Sequence, residues 1–213
     1  MPPTRLALLT FSLITLASCA AIKGIGNTAL YAPVPPASTF AIQQLAGDPV
    51  VGSKIEKMIA YQLTRHGHVQ TDKSPDLLVS FAFDVALAGS TSTAYTTIRQ
   101  APQSAYVYGN TVTVNQSRST ATTYVDTTRE FQKSIAIRIA KANTGARLWE
   151  GTVTERGWCN QIFVTSPQIL SLMFQNFPNE LTNMQKMVTD ADEGAKEIRR
   201  VFPAETNWGC RSS

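Results

Sequence analysis

The chain has 213 residues, 43% of them hydrophobic and 16% charged, with a formal net charge of +4. That size and composition suit one globular domain with a real core and exclude wholesale disorder. The basic residues are scattered and form no aromatic-interleaved stripe, which argues against nucleic acid as a partner; a weak preference for anionic headgroups or glycan is all the charge permits.

At the start, Arg5 precedes an uncharged, mainly apolar run from Leu6 to Leu16, followed by Ala17-Ser18-Cys19. The run has the character of a secretory signal and is too short to span a bilayer as a mature helix. Leu16-Ala17-Ser18-Cys19 resembles a bacterial lipobox. The resemblance implies that residues 1–18 are a leader and that Cys19 carries lipid on its thiol as the first mature residue. An ordinary signal peptide that happens to hold a cysteine is the alternative. No second apolar run of membrane length occurs, so palmitate-class acyl chains at Cys19 are the expected membrane partner. Lipoproteins retained in the inner membrane often carry aspartate after the cysteine; Ala20 therefore implies the outer membrane, facing the periplasm. Residues 19–37, with Gly24, Gly26, Pro33, Pro35 and Pro36, read as an extended tether.

Ser38 to Gln43 is a short strand candidate. Asp48 can cap a helix that Pro49 opens and Gly67 closes, with Val51, Ile55, Met58, Ile59 and Leu63 at helical spacing. From Asp76 to Leu87, Leu77, Val79, Phe81, Phe83, Val85 and Leu87 take alternate positions, the mark of a strand with one apolar face. Residues 89–128 are crowded with serine and threonine. Gly109-Asn110 suits a two-residue turn that sets Val107 against Val112 and Ala105 against Val114. The stretch thus reads as a long hairpin, amphipathic for part of its length, with Tyr106 and Tyr108 on a face that is either a ligand surface for glycan or a hydroxyl-rich solvent face.

Phe131, Lys133, Ile135, Ile137 and Ile139 mark another strand, and Asn143-Thr144-Gly145 turns the chain into an antiparallel return from Arg147 to Val153. Ser166 and Pro167 predict a short helix over 167–176, interrupted by Pro178. Leu181, Met184, Val188, Ala191, Ala195, Ile198 and Phe202 predict a longer helix over 179–202, ending at Pro203, with residues 204–213 as a polar tail.

Export would place Cys159 and Cys210 in an oxidising compartment. A disulfide between them closes a loop of about fifty residues, worth about 4 kcal/mol in the chain-entropy model; two free thiols are the alternative. Enzyme signatures are missing from the sequence: no His-Glu-x-x-His, Cys-x-x-Cys, Walker loop, Gly-x-Ser-x-Gly or Ser-x-x-Lys. Gly24-Ile25-Gly26 lacks the third glycine of a dinucleotide fingerprint. His66 and His68 match no metal-ligand spacing, and His66 is better placed to meet the carbonyls at a helix end. The expectation is a protein that is not an enzyme and needs no cofactor or metal.

Five stretches are similar to the bacterial lipoproteins grouped as the domain of unknown function 4136 family. They are Thr39-Phe40-Ala41; Asp48-Pro49 through Leu63 to Gly67; Ser74-Pro75-Asp76-Leu77-Leu78-Val79; Asn143-Thr144-Gly145-Ala146-Arg147-Leu148-Trp149-Glu150-Gly151; and Val201-Phe202-Pro203. The resemblance implies an α/β sandwich at the cell envelope and assigns no activity. The segment 89–128 and the pair Cys159/Cys210 depart from the pattern.

These readings predict one α+β domain over 38–203, with an antiparallel or mixed sheet of about five to six strands and helices packed on one face as a two-layer sandwich. The expected function is that of a lipid-anchored envelope lipoprotein, a structural or accessory protein in envelope assembly or transport with an envelope protein as partner. The alternative is a binding module for a lipid or glycan.

Overall fold

The structure, a computed structural model, describes residues 22–100, 104–108, 111–115, 119–189 and 192–206. In chain order its elements are β1 (Ile22–Leu30), β2 (Thr39–Ala46), α1 (Pro49–Arg65), β3 (Val69–Gln70), β4 (Leu77–Gln100), β5 (Ser104–Tyr108), β6 (Thr111–Asn115), β7 (Ser119–Lys141), β8 (Arg147–Gly157), α2 (Ile162–Phe174), β9 (Leu181–Val188), α3 (Glu193–Val201) and α4 (Pro203–Thr206). Seven strands form one mixed sheet in the order β3-β2-β4-β7-β8-β1-β9, while β5 and β6 pair separately. Strand β2 runs parallel to β3 and β4; the other pairs of the large sheet are antiparallel.

The helix opened by Pro49 forms as its spacing dictates. Asp48 accepts a hydrogen bond from the Val51 amide at 2.9 Å, and Ile55, Met58, Ile59 and Leu63 are buried. Gly67, at φ +87°, takes the left-handed turn that ends it. Leu77, Val79 and Phe81 of β4 and Ile135, Ile137 and Ile139 of β7 are also buried, and they share one apolar cluster with Trp149 of β8 and Ile169, Leu170 and Met173 of α2. Trp149 stacks on Phe174 at 5.9 Å and meets Phe177 edge-on at 5.2 Å.

Residues 22–30 are not a tether. They form β1, an interior strand paired with β8 on one side and β9 on the other. Gly24, Gly26 and Thr28 alternate on its buried face, with Lys23, Ile25 and Asn27 exposed between them. At Gly24 the room is limited because α2 lies against the strand: a Cβ there would sit 2.8 Å from Leu172 Cδ2, whereas one on Gly26 would meet ordinary contacts from 3.5 Å. Small residues at a period of two, where a helix comes close, produce the same composition as a flexible linker.

Two helix expectations also change. α2 begins at Ile162, so Ser166 and Pro167 lie inside it; the Ser166 hydroxyl donates to the Ile162 carbonyl at 2.8 Å instead of capping. The region expected as one helix over 179–202 is strand β9 followed by α3. Met184, Lys186 and Val188 follow the strand period, and an irregularity in the β1–β9 register between Gly26 and Thr28 offsets buried Leu181 by three positions. The bulge turns a period of two into the 181, 184, 188 spacing of a helix. With β1, β9 and the two-residue β3 added, the sheet has seven strands where about five or six were expected.

Candidate functional site

The most distinctive feature is the continuation of β4 and β7 beyond the body. β4 pairs with β2 only as far as Ala82, and β7 pairs with β8 only as far back as Phe131. The β4–β7 pair itself continues from Gly89↔Glu130 to Gln100↔Ser119, twelve positions on each strand. At about 3.3 Å per residue this two-stranded arm is about 40 Å long. Among the described residues no third strand pairs with it. A register shift between Leu87 and Gly89 marks its root, where an extra residue can re-aim the ribbon as it leaves the sheet.

Side chains on the arm from Ser90 to Arg99 and from Thr120 to Glu130 are exposed. Cross-strand pairs hold it together. Tyr95 stacks on Tyr124 at 5.4 Å, and the hydroxyls of Ser92 with Thr127, and Thr96 with Thr123, lie 3.0 Å apart. Such pairs contribute about 0.2–1 kcal/mol each. Ile98 and Val125 are 66% and 67% exposed, which leaves apolar surface without a cover. β5 and β6 pair with Val107 opposite Val112 and Ala105 opposite Val114, in the expected register. The side chains of Tyr106 and Tyr108 lie outside the described residues. The described aromatic pair, Tyr95/Tyr124, was legible only by extending the Leu77–Leu87 and Phe131–Ile139 strands outward past a bulge.

The root is held by a buried ion pair. Lys133 and Glu155 face each other on β7 and β8, 0% and 1% exposed, with Nζ 2.8 Å from Oε2. Lys133 Nζ also donates to the Cys159 carbonyl, tying the β8–α2 connection to the sheet. Burial pushes the Glu155 carboxyl above its usual range, against the pull of Lys133 and the Thr165 hydroxyl. Lys133 falls in the alternating series Phe131 to Ile139, so its inward direction was legible; its partner was not. Beside the root, Phe83, Val85, Gln161 and Phe163 line an open cleft of about 430 Å³.

A second cleft, about 520 Å³, lies where α1, α2 and the start of α3 meet, lined by Arg65, His66, Ser171, Lys186 and Asp192 among others. The Ser171 hydroxyl donates to Asp192 Oδ1 at 2.8 Å, and Lys186 Nζ stands 3.3 Å from Oδ2. Burial pushes Asp192 upward, but Ser171 and Lys186 outweigh it and hold the carboxyl below its usual range. An ionised carboxylate so held orients the serine without acting as a strong base toward it. His66 packs edge-on to Phe177 at 5.0 Å; burial, then Arg65 and His68, lower its pKa and favour the neutral ring. The His66 backbone amide donates to the α1 carbonyls, at 3.2 Å from Gln62 O and 3.0 Å from Leu63 O.

Among the described residues no group of three or more His, Cys, Asp or Glu could hold a metal ion, and no helix is long and apolar enough to cross a membrane. Cys159 is buried, 7% exposed. Cys19 and Cys210 lie outside the described residues.

Over residues 27–179 the chain matches the family described as "Domain of unknown function (DUF4136)". No curated protein matches it. Among solved structures, a PDZ domain protein from Parabacteroides distasonis is similar at 16% identity and a TM-score of 0.48, over 78% of this chain and 38% of that one. A PelC dodecamer from Paraburkholderia phytofirmans is similar at 12% identity and a TM-score of 0.37, over 71% of this chain and 89% of that one. The chain thus spans well under half the length of the first of these.

Proposed function

The chain belongs to the domain of unknown function 4136 family, and on that premise we propose that it is a lipid-anchored envelope lipoprotein without catalytic activity. In this reading Cys19 carries the acyl chains, the protein sits at the outer membrane facing the periplasm, and its arm serves protein contacts in envelope assembly or transport. The layout is two-layered, with the helices on one face of the sheet. Cys210 is the disulfide partner of Cys159 and fastens the tail to the body.

One observation carries the reading. Strand β1 starts at Ile22, three positions after Cys19, so the chain between lipid and sheet spans about 10 Å at most. Lys23 pairs with Arg156, near the end of β8, and Gly157 pairs with Phe131 at the arm's root. The anchor and the arm therefore share one end of the sheet. A long tether would let the body tumble; this arrangement holds it close to the bilayer in one orientation. Fractionating cells that express Cys19→Ser tests the anchor. The variant is expected to leave the membrane fraction, and a variant that still sediments with membranes sinks the proposal.

The exposed Tyr95/Tyr124 stack favours a second reading, a binding module for glycan or lipid. Calorimetric titration with envelope glycans separates the two. Binding that is lost in Tyr95→Ala/Tyr124→Ala would favour the second reading.

A further inference from the structure

The arm's two long edges are its most reactive surface. Each presents a row of backbone N–H and C=O groups that no described strand takes up. Natural edge strands are usually blunted by lysine, proline or inward-pointing charge. Residues 89–100 and 119–130 contain no lysine and no proline, and their Arg99, Arg129, Asp126 and Glu130 sum to zero charge. β-branched threonine, valine and isoleucine dominate them. An isolated two-stranded ribbon is marginal in water, so a 40 Å neutral ribbon with open edges is a structure waiting for a neighbour.

We propose that the neighbour is a second copy of this chain: the free edge of β4 in one copy pairs antiparallel with the free edge of β7 in the next. β4 runs outward and β7 runs back. Setting the β7 edge of one arm beside the β4 edge of another continues the up-and-down order without a break. The contact is heterologous, because it joins two different edges, and such contacts close into rings when the rotation between copies allows. Zero net charge removes the repulsion that would oppose stacking many arms side by side. Closing the ring leaves no edge exposed, which only a closed sheet achieves.

The choice of β4 against β7 follows from orientation and rests on the lipid anchor proposed above. Pairing β4 with β4 antiparallel would point two arms in opposite directions. Copies anchored in one leaflet by chain ends close to the arm roots point their arms the same way. Anchored copies can differ by rotation about the membrane normal, the operation that brings a β4 edge to a β7 edge.

The test uses the full processed, lipidated protein in detergent, with mass measured by light scattering. The wild type is expected to be oligomeric, and a variant with residues 91–128 replaced by an Asn-Gly turn is expected to be monomeric with an unchanged body spectrum. Mixing chains with one added cysteine on β4 (Thr93→Cys or Thr97→Cys) and chains with one on β7 (Thr122→Cys or Thr128→Cys) should give β4–β7 cross-links between copies. A monomeric wild type, full oligomerisation of the shortened variant, or cross-links only between β4 and β4 would each overturn the proposal. So would a monomer whose arm is shielded from protease only by phospholipid vesicles, which would assign the arm to lipid. Running Cys19→Ser in parallel keeps the two readings apart: a failed anchor shows in fractionation, a failed assembly in mass.

Discussion

Removing one partner of the Lys133–Glu155 pair should cost far more than removing both. With Nζ and Oε2 2.8 Å apart, the attraction at an effective dielectric of about 20 is about 6 kcal/mol. Desolvating two ions that are 0% and 1% exposed costs several kcal/mol each, so the intact pair is close to neutral for stability. Lys133→Met leaves a buried carboxyl without its cation and should cost about 3–5 kcal/mol, as should Glu155→Met. The double variant should recover most of this, lying about 1–3 kcal/mol below wild type because the Cys159 carbonyl has lost its donor. Urea denaturation of all four proteins at pH 7 gives the coupling directly. The Glu155 pKa is raised in the folded state, so its contribution is fully present below the unfolded value and is lost as pH rises through the folded one. The Lys133→Met deficit should therefore shrink as pH falls from neutral. Single variants that cost under about 1 kcal/mol, or costs that simply add, would refute the reasoning.

Gly24→Ala should destabilise by about 1–3 kcal/mol, because its Cβ would meet Leu172 Cδ2 at 2.8 Å, and adding Leu172→Ala should relieve part of that clash; urea midpoints of the two single variants and the double variant decide it. Asp48→Ala should lose about 1 kcal/mol by removing the acceptor for the Val51 amide, read from the same transitions. Asp76 accepts from the Thr39 amide and hydroxyl, and these bonds lower its pKa. Its contribution is present above the unfolded value and lost as pH falls through the folded one, so Asp76→Asn should be less stable than wild type at pH 7 and converge on it in acid. Thermal melts across that range check the convergence.

What the sequence revealed depended on whether a period was left intact. α1 has a cap, an opening proline, a closing glycine and five apolar residues at helical spacing, and it forms as expected. The inner halves of β4 and β7 keep a strict alternation and lie in the core. β1 was hidden because small residues, Gly24 and Gly26, lie under the helix where a strand normally shows valine or isoleucine. β9 was hidden because one bulge converts a strand period into a helical one. α2 was placed five residues late because Gln161, where it starts, offers no side-chain cap, whereas Ser166 and Pro167 imitate one. The arm was visible as a hairpin. That it stands clear of the body depends on where β2 and β8 stop pairing, which no local pattern records.

The central claim is that lipid on Cys19 holds the body, arm side first, against a membrane. Mass spectrometry of the amino-terminal peptide of the native protein tests it most directly. The account predicts a chain that begins at Cys19, bearing a diacylglyceryl group on sulfur and an acyl group on the amine. A native chain that retains residues 1–18, or one that begins elsewhere with Cys19 unmodified, would contradict it.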